Sequence, residues 1–288
     1  MIIKPNKLNI EEYHAADAIS SGKFRQWVKS PETYGAYRLG SHPDSKISGR
    51  HLTIGQAWED LITLDTQELA EIYYYCKGSE PEKPSDRVLN AKKPSNESIN
   101  KIRKYNSFLA EVGDRTIISV GECDKFQKML KHYHDNQTAT KLWTNCEYQM
   151  TIRQEFKGHT LQCRFDGINT AMNYAVDCKT TSKPLEEFNK AVYDYRYDLQ
   201  ESFYNELYHM QFGKDLEEFH FLVHETIYPF RCQVLTIPRG IKEMARITLT
   251  DELPKMITAI DSHEYPEFPE TGKIEFSHWQ LTNMGYEE

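Results

Sequence analysis

CRFDGINTAMNYAVDCKTT, residues Cys163–Thr181, holds two runs of alternating apolar and polar residues joined by a short link. Leu161, Cys163 and Phe165 alternate with polar neighbours, and Tyr174, Val176 and Cys178 repeat the pattern after a short link, Asn169–Asn173. Alternation with period two marks a half-buried strand. Just upstream, Tyr148, Met150 and Ile152 alternate with Gln149, Thr151 and Arg153, and Lys157-Gly158-His159 supplies a turn. The spacing predicts three consecutive strands in an antiparallel meander.

Outward from the meander the period changes to that of helices. Leu199, Phe203, Leu207 and Met210 form a stripe from about Arg196 to Phe212, with Gly213 as its C-cap. Two strands are expected near Phe219–Glu225 and Phe230–Ile237. A last helix, capped by Thr250 or Asp251, carries Leu253, Met256, Ile257 and Ile260. On the N-terminal side, Phe126, Met129, Leu130 and Tyr133 mark one helix, and Ile99, Ile102, Tyr105, Phe108 and Leu109 another. Residues 77–98, rich in Pro, Ser and charge, read as a long surface loop. A helix over about 54–64 has the stripe Ile54, Ala57, Trp58, Leu61 and Ile62. A short helix with Phe24, Trp27 and Val28 is capped by Ser20 or Ser21 and ended by Pro31. Helices, three strands, helix, two strands, helix: this order predicts an α/β sandwich around a mixed central sheet.

The 288 residues carry a formal charge of −8, which excludes a globally basic nucleic-acid coat but not a local basic groove. An apolar share of 39% is enough for a core and excludes wholesale disorder. No apolar run is long enough to span a membrane, and Met-Ile-Ile-Lys-Pro lacks a signal-peptide core, so a cytoplasmic protein is expected. None of the six cysteines forms a CxxC pair; they read as buried thiols. His132 and His134, two apart on a helix, point away from each other and are a poor metal pair.

The candidate chemistry lies on the meander. Asp177 and Lys179, two apart, share a face of the third strand, and Asp166 ends the second, so Asp166 and Asp177 can converge. Two carboxylates and an ammonium suit Mg²⁺, which takes one or two carboxylates plus waters and phosphate oxygens. A solvated strand face with an Asp–Lys ion pair has the same pattern. Gln200 and Tyr204, one helical turn apart, flank the apolar stripe and can meet a phosphate, although such a pair is also an ordinary surface contact. Gly55 interrupts a helix at a cost of up to about 1 kcal/mol relative to Ala, which points to close approach of another backbone. Glu59, one turn on, faces the carboxylate pair or solvent.

Together these residues resemble the PD-(D/E)XK nuclease superfamily, and most closely its RecE (exonuclease VIII)-like branch of phage and prophage recombination exonucleases. Cys163–Thr181 looks like the family's arginine-x-Asp followed by Asp-x-Lys-Thr-Thr, and YDLQESFY (Tyr197–Tyr204) like its Gln-x-x-x-Tyr motif. Tyr13–Tyr34, Lys104–Met129 and His224–Ile237 resemble, in order, the branch's opening stretch, middle helical segment and later strand pair. Two departures stand out. Glu59 occupies the place of the branch's usual His, giving a Gly-x-x-x-Glu that resembles the lambda- and YqaJ-type exonucleases, and Phe165 replaces the family's Pro. The cysteine quartet of iron–sulfur relatives is missing, so no cluster is expected.

The resemblance implies a restriction-endonuclease-like core in one nuclease domain, 1–288, without the long N-terminal extension of some RecE proteins. Its expected parts are a mostly helical 1–140, a catalytic α/β core over 141–262 and a C-terminal tail over 263–288. It implies a Mg²⁺-dependent DNA exonuclease, with Mn²⁺ as a substitute, digesting one strand of duplex ends 5′→3′. Asp166, Asp177, the Cys178 carbonyl and Glu59 would hold metal, and Lys179 would orient water and stabilise charge. Gln200, Tyr204, Thr180, Thr181 and Arg164 would position substrate. A RecT-like single-strand annealing protein is the implied partner, and a homo-oligomeric ring the implied assembly, with Lys92, Lys93, Lys101, Arg103 and Lys104 as candidate DNA contacts. The same motif serves endonucleases and enzymes of opposite polarity, and a non-catalytic DNA-binding protein could keep the fold.

Overall fold

A computed structural model of the chain describes residues 2–3, 10–41, 49–269 and 271. Strand β1 (Ile2–Ile3), helix α1 (Ile10–Ala15) and strand β2 (Ile19–Ser20) lead into α2 (Ser21–Lys29) and α3 (Pro31–Arg38). Ser20 Oγ accepts from the Lys23 amide and Ser30 Oγ from the Thr33 amide, so a capping serine precedes each helix. Pro31 takes the first position of α3, where its missing N–H costs no helical bond. Next come α4 (Arg50–Thr63), α5 (Thr66–Ile72), β3 (Tyr73–Tyr75), α6 (Asp86–Leu89), α7 (Asn96–Val112), β4 (Thr116–Ile118), α8 (Val120–Asp135) and α9 (Gln137–Thr144). Reciprocal capping boxes, Asp65 with Glu68 and Ser119 with Glu122, fix the starts of α5 and α8. The expected loop over 77–98 is interrupted only by the one-turn α6 and the start of α7. β3 and β4 form a small parallel sheet of their own that the sequence pattern did not reveal, since three residues are too few to show a period.

The central sheet is built on β5 (Glu147–Phe156), β6 (His159–Asn169) and β7 (Tyr174–Thr181), all antiparallel as the alternation predicts. Lys157 and Gly158 both have positive φ, +49° and +82°, as a two-residue type I′ hairpin requires. After β7 the chain crosses over through α10 (Phe188–Tyr195) and α11 (Tyr197–Phe212) to β8 (Glu218–Glu225), which pairs parallel to β7; β9 (Cys232–Leu235) and α12 (Arg239–Ser262) complete the chain's described core. The strand order is β1-β5-β6-β7-β8-β9, with β2 parallel against β6. This is the mixed sheet flanked by helices that the sequence predicts.

Each face of the sheet carries its own apolar layer. On one side Phe24, Trp27, Leu199, Phe203, Leu249 and Met256 of α2, α11 and α12 pack on Ile152, Cys163, Ala175 and Phe221. On the other Ala57, Trp58, Phe126, Met129 and Trp143 pack on Val176 and Leu222. Covering both faces explains why the strands are buried more evenly than the alternation suggests: Thr151, expected on a wet face, is 1% exposed.

Three local expectations are corrected. Tyr148 lies in the second layer while Met150 and Ile152 lie in the first, because Gln149 between them takes a left-handed φ of +54° and turns the strand. The last helix begins at Arg239, not at Thr250 or Asp251. Its core stripe starts at Ala245 and Leu249, and exposed Ile241, Met244 and Ile247 blur the period upstream. Of the cysteines only Cys163 is fully buried; the other five are half-buried, and all six are free. Of the expected tail 263–288, residues 270 and 272–288 lie outside the described residues. Tyr265 packs its ring edge-on to Tyr34, and the Phe268 amide donates to Glu32 Oε2. Among the described residues no helix is long and apolar enough to cross a membrane.

Between α11 and α12, Glu201 is 6% exposed and pairs with Lys242 Nζ at 2.7 Å, while its Oε2 has no hydrogen-bond partner. Burial outweighs Lys242 and raises its pKa from 4.5 to about 7. The carboxylate therefore costs stability in full above about pH 7, and the cost disappears as pH falls toward 4.5. Glu201→Gln should raise thermal stability at pH 8 by about 1–3 kcal/mol. The gain should shrink to nothing near pH 4.5. Equal melting temperatures of the two proteins at pH 8 would refute the argument.

Candidate active site

β6 and β7 pair at Asn169↔Tyr174, Ile168↔Ala175 and Gly167↔Val176. The next positions in that register are Asp166 and Asp177, and there the ladder stops. The Cys178 amide donates to Asp166 Oδ2 at 2.9 Å. β7 runs on to Thr181 beside β8 alone, which leaves its other edge open. Amide and carbonyl of one residue point to the same edge of a strand, so the Cys178 carbonyl faces this opening too. Gly167 allows helix α9 to rest against the strand here: a Cβ on it would lie 3.1 Å from Cys146 and 3.3 Å from Trp143.

Asp177 is 3% exposed and faces α11. Gln200 donates to its Oδ1 at 2.5 Å, and Lys179, on the same face of β7, contacts its Oδ2. Glu59 arrives from the opposite layer on α4. Thr180 Oγ1 would stand 3.4 Å from a Cβ at Gly55, so the close neighbour at Gly55 is a side chain rather than the backbone that the sequence suggested. The Gln149 side chain donates to Glu59 Oε1 and accepts from Arg164 Nε at 2.5 Å. Sequence reasoning missed Gln149. Its signal is a backbone angle, and nothing in the alternation of β5 encodes that.

The electrostatics follow from three carboxylates in a half-buried space. Burial, then the charge of Asp177, raises the Asp166 pKa to about 7. Burial, then Asp166, Asp60 and Asp177, raise that of Glu59 well above the carboxylate range. Burial alone would lower the Lys179 pKa, but Asp177, Tyr197 and Asp166 outweigh it and the ammonium is held charged. One lysine, whose ammonium contacts Asp177 Oδ2, does not neutralise the cluster. Among the described residues no three acidic, His or Cys side chains form a ready-made metal cage. Mg²⁺ does not need one: hard oxygen donors with excess negative charge fit a cation that keeps waters and takes phosphate oxygens.

The substrate-positioning residues fare differently. Gln200 is at the cluster. Tyr204, expected beside the apolar stripe, lies in the core, 8% exposed, its ring against Phe165 and Phe219 and its hydroxyl on the Arg164 carbonyl at 3.0 Å. Its hydroxyl is taken by the backbone of β6, because this side of α11 packs on the sheet. Thr181 Oγ1 accepts from the Lys183 amide at 3.0 Å, closing a local turn, so its hydroxyl is also engaged. Thr180 and Arg164 are half-exposed at the opening. Lys92, Lys93, Lys101, Arg103 and Lys104 are exposed, and Lys101 pairs with Glu97.

A family model described as "PDDEXK-like domain of unknown function (DUF3799)" matches residues 20–278. The chain belongs to this PDDEXK-like family. A crystal structure named "Putative exonuclease" from Eubacterium rectale superposes on the PDDEXK-like chain with a TM-score of 0.58 at 12% identity, covering 96% of this chain and 98% of that one. At that identity the likeness shows a shared fold. The crystal structure of SSO0001 matches at a TM-score of 0.29 and 11% identity, over 76% of this chain and 89% of that one, too weakly to support an argument. No curated protein matches.

Proposed function

We propose that this PDDEXK-like chain is a Mg²⁺-dependent deoxyribonuclease that digests duplex DNA ends as an exonuclease, 5′→3′, in the manner of the RecE-like enzymes that its motifs resemble. The observation that carries the reading is the meeting of Asp166, Asp177 and Lys179 with Glu59 where the β6–β7 ladder stops. Asp166, Asp177, Glu59 and the Cys178 carbonyl are the oxygen donors that would hold the metal, with Mn²⁺ able to take its place. When bound, the metal acts as a Lewis acid and eases deprotonation of water.

The remaining work falls to the chain. Lys179 presents a fixed positive charge where negative charge builds on the phosphate. Asp177 holds that ammonium, and Gln200 holds Asp177, so the charge is in place before substrate arrives. Gln149 keeps Glu59 and Arg164 at the rim. Thr180 and Arg164 contact the phosphate backbone. A ring of identical subunits around duplex and handover of the 3′ strand to a RecT-like annealing protein complete the reading.

Digestion of linear, nicked and circular duplex with Mg²⁺, each end labelled in turn, tests it. The expected result is loss of 5′ label from linear DNA, no attack on covalently closed circles and no activity in a chelator. Cutting of circles would make the protein an endonuclease, loss of 3′ label would reverse the polarity, and inertness on every form would leave a DNA-binding protein. Light scattering that gives a monomer at working concentration, with distributive digestion, would remove the ring.

A further inference from the structure

The sequence YDYRYDLQ places tyrosines at 193, 195 and 197, across the junction of α10 and α11. Residues two apart on a continuous helix point away from each other. Here Arg196 takes a left-handed conformation, φ +51° and ψ +52°, serving as C-cap of α10 and N-cap of α11. That conformation is costly for a residue with a side chain. Arg196 is held in it by Asp198, which accepts from its Nε at 3.0 Å and Nη2 at 2.9 Å. The result is that the rings of Tyr195 and Tyr197 stack, 5.7 Å apart and 25° from parallel.

Tyr197 joins this pair to the candidate active site. The Lys179 ammonium stands 5.0 Å from its ring centre, and Phe188 and Phe221 stack beside it. Arg25 lies over the same ring at 5.9 Å and donates to the Tyr195 carbonyl at 2.7 Å. Tyr195 is 62% exposed and Tyr193 79% exposed. Two large aromatic side chains in water, one of them stacked on the ring that faces Lys179, are not explained by core packing. Next to them opens a groove of about 780 Å³, lined by Phe188, Val192, Tyr193, Phe221 and Ile237. Phe188 and Phe221, both buried, belong to the groove wall and to the stack, so ring contacts run from the groove through Tyr197 to Lys179.

We propose that Tyr195, backed by Tyr197, is a stacking platform for the bases of a single strand freed at the DNA end, leading that strand to the carboxylates and Lys179. The proposal rests on the nuclease reading. Stacking on an aromatic face fits any base, so the platform gives a grip without sequence preference.

The test uses the full chain in Ca²⁺ instead of Mg²⁺, so that binding is read without cleavage. The probe is a duplex with a short unpaired tail carrying 2-aminopurine, whose fluorescence falls on stacking, and a matched blunt duplex serves for comparison. Wild type should quench the tail probe and bind it more tightly than the blunt duplex. Tyr195→Ala should lose the quenching and weaken tail binding by about 5- to 100-fold, the range of one lost base–aromatic stack. Tyr195→Phe keeps the ring face and should restore both. Equal tail binding and quenching by Tyr195→Ala and wild type overturns the platform and leaves the nuclease reading standing. Failure of wild type to bind either DNA overturns both.

Discussion

Asp177→Asn should lower Mg²⁺-supported DNA cleavage by about 10³-fold or more, since it removes a ligand of the group that activates water. The same protein, without metal, should keep its fold, because the loss of the Lys179 ion pair is offset by relief of the repulsion between Asp177 and Asp166. Asp177 is nearly fully buried, burial and then the Asp177 charge raise the Asp166 pKa to about 7, and Asn fills the same space without that repulsion. Gln200 keeps a partner, because the Asn side-chain oxygen accepts as the carboxylate does. Lys179→Ala should lose cleavage to a similar degree, but its stability should fall. It leaves the buried Asp177 carboxylate without its cation, and breaking a buried pair from one side costs about 3–5 kcal/mol. The two variants thus separate chemistry from folding. Cleavage at the wild-type rate by well-folded Asp177→Asn would take the cluster out of the reaction.

Glu59→Gln should raise the Mg²⁺ concentration needed for half-maximal cleavage and lower the rate by about 10- to 100-fold, as loss of a supporting ligand does at other metal sites. Metal-free stability should rise. Burial, Asp166, Asp60 and Asp177 all oppose the Glu59 charge, so its pKa is high in the folded chain. The sign follows: the carboxylate costs stability in full above that raised pKa, and the cost disappears as pH falls toward 4.5. The advantage of Gln should therefore be seen at pH 8 and lost near pH 4.5. Mg²⁺ should raise the melting temperature of wild type more than that of the variant, because it binds the folded site and relieves the repulsion. An unchanged Mg²⁺ requirement with an unchanged rate would make Glu59 a bystander that Gln149 merely holds in place.

The Gly-x-x-x-Glu departure gains a physical setting from Gln149. An acidic residue at position 59 adds a third negative charge beside Asp166 and Asp177, and the Gln149 amide partly offsets it by donating to Glu59. Gln149 also accepts from Arg164, so one side chain links the rim of α4 with β5 and β6. Gln149→Ala should loosen both neighbours at once. This linkage has no counterpart in the sequence pattern, where position 149 is only the polar step between Tyr148 and Met150.

Local periodicity was sufficient for much of this protein. The period-two runs at 148–152, 161–165 and 174–178 gave the meander. The helical stripes gave α2, α4, α7, α8 and α11, since side-chain direction in a strand or helix is a matter of a few neighbouring residues. The same rule put Asp177 and Lys179 on one face, and the antiparallel link put Asp166 beside them. What the sequence could not fix depended on partners far along the chain or on a single backbone angle. Tyr204 reads as a flanking residue until the sheet, α2 and α12 close around α11. Tyr148 and Met150 share a face until Gln149 turns left-handed between them, and Tyr195 and Tyr197 diverge until Arg196 does the same. Periodicity records which side of its own element a residue faces. Only the packed chain decides which other elements lie on that side, and so whether a carboxylate there meets water, a lysine or two more carboxylates.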